Sequence, residues 1–328
     1  MAVTVSGLTI AGGDAGTEGG GGLQVENRRS EVYLNDVRFV DNRATNGAGI
    51  AVSASDAYLE LNNCVLDTNI ASQDGGGVYI SGAGATAYVS HSRIISNGAR
   101  DGAGLWDSAI QVSVLCADSQ FVNNVATRNG GAIFHQGTSG GTSFGLDARY
   151  CSFTQNQAQG GSGGAIYVFD FTGVQGSLRR NTIRQNRATA APGVFQGTDS
   201  SVRVRDDNNI GDNTLLPSDS EEQDIFTEDG AETDVCGDFD QNGSYVSIAG
   251  VFSVDDAYDM TSGTTFLGGG EIDAADGFVQ TGGLLEGAGT IDADVTSAAF
   301  IAPGGDGAAG TLAIDGLFEQ LSDGVLDF

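Results

Sequence analysis

The chain has no lysine, and its 328 residues include only 3 prolines, 2 histidines and 1 tryptophan. All fourteen basic residues are arginine. A lyase acting on a uronate needs a base, usually Lys or Arg, and a cation beside the carboxylate, so half of that choice is gone. The four cysteines (Cys64, Cys116, Cys151 and Cys236) show no CxxC spacing and no neighbouring histidine, which argues against a zinc site or a disulfide framework. No run approaches the roughly 18 apolar residues of a membrane-spanning helix. The first residues, Met1 to Leu8, lack the basic region and apolar core of a signal peptide.

Positive charge is also missing from one part of the chain. The last arginine is Arg205, and 16 of the 43 acids precede residue 206 while 27 follow it. The first part is therefore near neutral and the remainder strongly acidic. Such a surface repels nucleic acid and anionic lipid, so neither is expected as a partner. It suits a salty or calcium-bearing medium, where cations screen the self-repulsion.

What the chain does have is glycine, 52 residues without a collagen period, and that points to many tight corners between short strands. Two landmarks repeat. The first runs Gly20-Gly21-Gly22-Leu23, Gly47-Ala48-Gly49-Ile50, Gly75-Gly76-Gly77-Val78, Gly102-Ala103-Gly104-Leu105, Gly130-Gly131-Ala132-Ile133 and Gly163-Gly164-Ala165-Ile166, with a degenerate Ala191-Pro192-Gly193-Val194. Its aliphatic positions are 27, 28, 27, 28, 33 and 28 residues apart. The second places Phe39, Leu66, Ile94, Phe121, Phe153, Ile183 and Ile210 three residues before Asn42, Asn69, Asn97, Asn124, Asn156, Asn186 and Asn213. Between the landmarks, apolar and polar residues alternate, as in Val32 to Phe39 and Tyr58 to Leu61, which is the pattern of half-buried strands.

Three short strands and three corners fill about one such repeat. The expected fold is all-β, a right-handed parallel β-helix over residues 1–213 with about seven coils. Phe39, Phe121, Phe153 and their equivalents are expected to stack inside it. Each asparagine is expected at a corner in left-handed backbone, its amide bonded to its equivalents above and below. Alanine two residues later is small because two walls meet. Cys64 and Cys151 fall in one inward column with Val37, Ser92 and Ser119, too far apart to pair.

The combination of GGA[ILV] and FxxN resembles the repeats of the polymorphic outer-membrane proteins, chlamydial-type autotransporter passengers, and is similar to other secreted β-helix proteins. Residues 121–133 and 153–166 match both motifs in full. The resemblance implies the β-helix and an extracellular or cell-surface location; the family's C-terminal membrane barrel is not in this sequence.

Residues 214–244 read as an acidic linker or long loop, and 245–328 as a Gly-rich β region of irregular further coils or a cap. The latter resembles the Gly-rich strands that continue autotransporter passengers. Both termini read as cuts, so more polypeptide is expected on either side.

No coherent catalytic set emerges. Arg179, Arg180 and Arg184, with Arg203 and Arg205, read as outward strand positions, although they suit an acidic sugar. A hydrolase needs paired carboxylates facing a groove; the adjacent acids Asp206-Asp207 and Asp255-Asp256 are candidates for such a pair, and read as loop acids. His91 is placed in a strand facing out and His135 at a strand end, both as bystanders. Asp238, Asp240 and Asn242 copy the first half of a calcium loop, but Ala249 stands where the bidentate acid belongs. No cofactor is expected apart from calcium at that turn. The leading expectation is a structural or adhesive segment of a larger secreted or surface protein, facing a surface protein or polysaccharide. A carbohydrate-active β-helix enzyme and a calcium-dependent assembly module are the alternatives.

Overall fold

Strands of two to five residues are too short to stand alone, so each must pair on both edges. The computed structural model, which describes residues 1–108, 111–137, 145–169, 175–198, 200–205, 208–216, 224–236, 239–305 and 309–327, shows how they do so. Every strand pairing recorded is parallel and joins one coil to the next, and among the described residues there is no helix. The fold is a parallel β-helix.

One coil shows the pattern. Gly130 turns the chain at φ 64°, and a side chain there would meet the Ile133 carbonyl oxygen at 2.5 Å, so only glycine fits without strain. Ile133–Gln136 forms the first face, Leu146–Arg149 the second and Ser152–Thr154 the third. A fourth segment, Gln157–Ser162, leads to the next glycine corner. That fourth row was not foreseen. It is the wall on which Ala44, Ala71, Ala99 and Ala126 pack with Ala48 and Ala103 in a cluster of their own, which is why a larger residue would not fit two places after each asparagine. The 33-residue spacing reflects the longer interval from Gln136 to Leu146, where the coil before runs from Ser108 to Val114, and a register shift between Ala158 and Ser162.

Phe39, Phe121 and Phe153 are fully buried. Phe121 and Phe153 stack at 5.0 Å between ring centroids. Burial of such columns, coil upon coil, is the main stabilising term. Cys64, Cys116 and Cys151 are buried free thiols. Cys64 and Cys151 occupy the inward column with Ser92 and Ser119, whose hydroxyls accept from the backbone of the preceding coil.

The acidic segment is not a linker over its described length. Thr214–Leu215 pairs with the coil before it. Ile225–Thr227 and Glu232–Cys236 pair with Val194–Gln196 and Ser201–Arg205. Counting charge hides the alternation there: Thr233 and Val235 point into the core while Glu232 and Asp234 face outward.

Beyond this coil the repeat shortens. Tyr245 pairs with Thr264, 19 residues on, and Thr264 with Leu284, 20 residues on. A third row runs Phe239–Gln241, Tyr258–Met260, Phe278–Gln280, Val295–Ser297 and Phe318–Gln320. The Gly-rich region thus continues the same helix with smaller coils. No described helix is long and apolar enough to cross a membrane.

Candidate functional site

The asparagines form an unbroken internal ladder. The Nδ2 of Asn124 donates to Asn156 Oδ1 at 2.9 Å and to the Ile94 carbonyl at 2.9 Å. Its backbone nitrogen donates to the same Asn156 oxygen. Its own Oδ1 accepts from the backbone and side-chain nitrogens of Asn97. The same arrangement links Asn42, Asn69, Asn97, Asn124, Asn156, Asn186 and Asn213. Each is buried, so each satisfied bond also removes the cost of an orphaned polar group. The ladder ends on a buried carboxylate: Asp224 Oδ1 accepts from Asn213, and Oδ2 accepts from the backbone of Tyr245.

One expectation is corrected here. The left-handed residue is the one before each asparagine: Asp41, Thr68, Ser96, Asn123, Gln155, Gln185 and Asp212 all have φ between 54° and 60°. The asparagine itself is spared that backbone because its side chain must turn inward. A second set of left-handed corners precedes the Cys/Ser column, and His91 is one of them, exposed at φ 49° rather than lying in a strand.

On the outside, the first face carries a feature the sequence reading missed. Tyr79, Trp106, Phe134, Tyr167, Phe195 and Phe226 sit in register on six successive coils. Neighbouring rings lie 4.6, 6.2, 4.9, 4.7 and 5.4 Å apart and within 12° of parallel. The signal was present: an aromatic follows each aliphatic landmark from Val78 onward. Phe134 and Phe195 are buried although their strand positions face out, whereas Tyr79, Trp106, Tyr167 and Phe226 remain half-buried. The inner rings cover one another's faces, so the column offers ring edges and two tyrosine hydroxyls. Beside it, buried Asp101 accepts from Arg128 and faces Arg100, which also grips Asp74. Burial pushes the Asp74 carboxyl up from its usual range, and Arg100 pulls the other way.

His135 also departs from its expected place. It lies inside the cylinder, with Nδ1 2.7 Å from Asp107 Oδ1, and both residues are buried. The alternation explains this: Ile133 and His135 face in and Phe134 faces out. Apolar Ile80 and Val168 occupy the same column one coil either side.

The arginines considered for an acidic sugar do not gather into one cleft. Arg184 pairs with Asp212, Arg203 with Asp234, and Arg180 reaches Tyr150 through its hydroxyl and over its ring. Arg149 and Arg179 stand in register on the second face. Asp206-Asp207 and Asp238 lie outside the described residues. Asp240 is an outward strand residue opposite Asp259, and Asn242 is exposed at the turn that follows, accepting from the Ser262 hydroxyl. Asp255 does converge with others: its carboxylate, that of Asp234 and the Cys236 thiol lie within 4.8 Å of one another. Arg203, bonded to Asp234 at 2.6 Å, already supplies positive charge there. Farther on, Asp273, Asp276, Asp292, Asp294 and Asp315 surround an open concavity of about 550 Å³.

The class this geometry defines is a ladder-locked parallel β-helix. The repeat of the Chlamydia polymorphic membrane proteins matches the chain at residues 118–136 and 150–168, the two coils where Phe121 stacks on Phe153. No curated protein and no solved structure matches it.

Proposed function

We propose that the chain is a structural and adhesive segment of a larger secreted or cell-surface protein, with its first face turned to a partner protein or polysaccharide. The observation that carries this reading is the aromatic column, which runs over six coils on the outside of a rod held rigid from within by the asparagine ladder. A rigid scaffold with an ordered, partly apolar outer stripe is suited to contact rather than to chemistry. The match to a bacterial surface-protein repeat supports the location.

Purified protein applied to host-cell surfaces and to arrays of neutral and acidic glycans tests it. Retention that is weakened by Trp106→Ala and Tyr167→Ala, and unaffected by Tyr33→Ala on the second face, is the expected result. Retention indifferent to both column variants overturns the assignment of the face.

The five-aspartate concavity favours one secondary reading, in which calcium ties the acidic coils together. Melting that is unchanged between calcium and EDTA removes that reading.

A further inference from the structure

Four asparagines precede glycine: Asn46, Asn97, Asn129 and Asn242. In such a step the following residue has no side chain to shield its backbone nitrogen, so that nitrogen can reach the asparagine side-chain carbonyl. The sequence treats the four alike. The structure does not.

Asn97 belongs to the ladder. Its side-chain nitrogen donates to the Leu66 carbonyl and to Asn124, its oxygen accepts from Asn69, and the Gly98 nitrogen donates to the Asn69 carbonyl at 2.9 Å. Asn46 accepts from the Asp74 backbone, with Gly47 buried and bonded to the Asp74 carbonyl. Asn129 accepts from the Ser162 backbone, with Gly130 buried and bonded to the Ser162 carbonyl. In each of these the side chain and the attacking nitrogen are both fixed to a neighbouring coil. Asn242 differs: it and Gly243 are both exposed, and its side-chain oxygen accepts from the hydroxyl of Ser262. The Gly243 nitrogen makes one longer bond, 3.2 Å to the Ser262 carbonyl.

We infer that Asn242 is a site of spontaneous covalent modification, deamidating through the exposed turn it forms with Gly243. The Gly243 nitrogen bonds to the Asn242 side-chain carbon and loses its proton. The side-chain amide leaves as ammonia, giving a cyclic imide. Water then opens the ring at either carbonyl, which leaves aspartate or isoaspartate at position 242. No oxidant, metal or enzyme enters the balance.

The product matters to the coil. It adds a negative charge close to Asp240 and Asp259, which already stand in register. Isoaspartate also lengthens the backbone between Gln241 and Ser244. Buried Gln241 anchors that corner by donating to the Ser244 carbonyl at 2.8 Å.

Incubation of the folded protein at mildly alkaline pH, followed by peptide mapping of isoaspartate, tests the inference. Position 242 should deamidate at least about tenfold faster than positions 46, 97 and 129. Ser262→Ala, which removes the one side-chain bond, should speed it further. The same protein unfolded in denaturant is the second arm, and there the four sites should converge. Slow deamidation at 242 in the folded chain, at the rate of the other three, overturns the inference. So does a tenfold preference for 242 that persists in denaturant, because local sequence rather than the fold would then set the rate.

Discussion

The two stretches of this solenoid fill their cores in different ways. In the first, coils of 27–33 residues keep a ladder of asparagines inside, beside the stacked Phe121 and Phe153, and a second column of aromatic rings outside. In the second, coils near 20 residues cluster rings inside without a ladder, and Tyr258 packs there against Phe239, Phe252 and Phe278. A shorter coil encloses less space, so fewer, larger side chains fill it. Its inward polar groups bond across the core in local clusters: Gln241 Oε1 accepts from Tyr258 and Thr265, and Gln280 accepts from Ser297. The outer column stops at Phe226, whose partner in the next coil is Ser247. A continuous ladder shares its strain along many coils, whereas clusters confine it.

The largest expected effect comes from breaking the ladder in its middle. Asn124→Leu leaves two Asn97 nitrogens without their acceptor and the Ile94 carbonyl without its donor, all buried. At about 1–3 kcal/mol for each orphaned group, discounted for relaxation, the loss should be on the order of 4 kcal/mol. Asn42→Leu should cost less, because its outer partners, Gly13 and Ile10, are only partly buried and reach water. Urea unfolding of the two variants checks this, and equal losses count against a ladder that shares its load.

Next in size is Gln241→Leu, which deprives Tyr258 and Thr265 of an acceptor and the Ser244 and Thr264 carbonyls of a donor. A loss of about 3 kcal/mol is expected, with hydrogen exchange quickened in residues 239–280 and unchanged near Asn97. Exchange that quickens along the whole rod would mean that the second stretch is as cooperative as the first.

Much of this difference was legible in the sequence on one side only. The period, the inward Phe and Asn columns and the buried cysteines all follow from a repeat of nearly constant length. The second stretch was harder because its period is shorter and the residue at its inward position changes between polar and apolar, Gln241, Met260, Gln280 and Ser297. The acids of 225–236 masked the strands there, since charge on an outward position says nothing about the residue facing in. The Asp107–His135 pair was hidden for another reason: it breaks an apolar column, and the register is what sets the two residues side by side. The aromatic column is written in the sequence as well, one residue after each aliphatic landmark from Val78 onward, but its outward position gives it no part in the core pattern that marks the repeat.

Third in size is that column. Trp106→Ala removes ring contacts with Tyr79 and Phe134 together with part of the area they cover. Each stacked pair contributes about 0.5–1.5 kcal/mol beyond burial, so a loss of roughly 2 kcal/mol is expected. Trp106→Phe should recover most of it. If Trp106→Ala melts like the wild type, the rings owe their order to the strands beneath them and add nothing to the rod.

The smallest effect concerns charge, and it separates the two stretches without any substitution. The first part pairs its acids across coils, as Arg100 does with Asp74 and Arg128 with Asp101. After Arg205 the chain holds 27 acids and no basic residue. In places these acids stand directly opposite one another on neighbouring strands, as Asp273 does to Asp292. Like charges so placed repel, and added salt weakens that repulsion. Raising ionic strength should therefore slow hydrogen exchange in residues 264–301 by an amount corresponding to about 1 kcal/mol. Residues 50–133, whose ion pairs salt screens as well, should stay unchanged or loosen slightly. An equal gain in both stretches points to general salting of apolar surface and removes charge as the distinction between them.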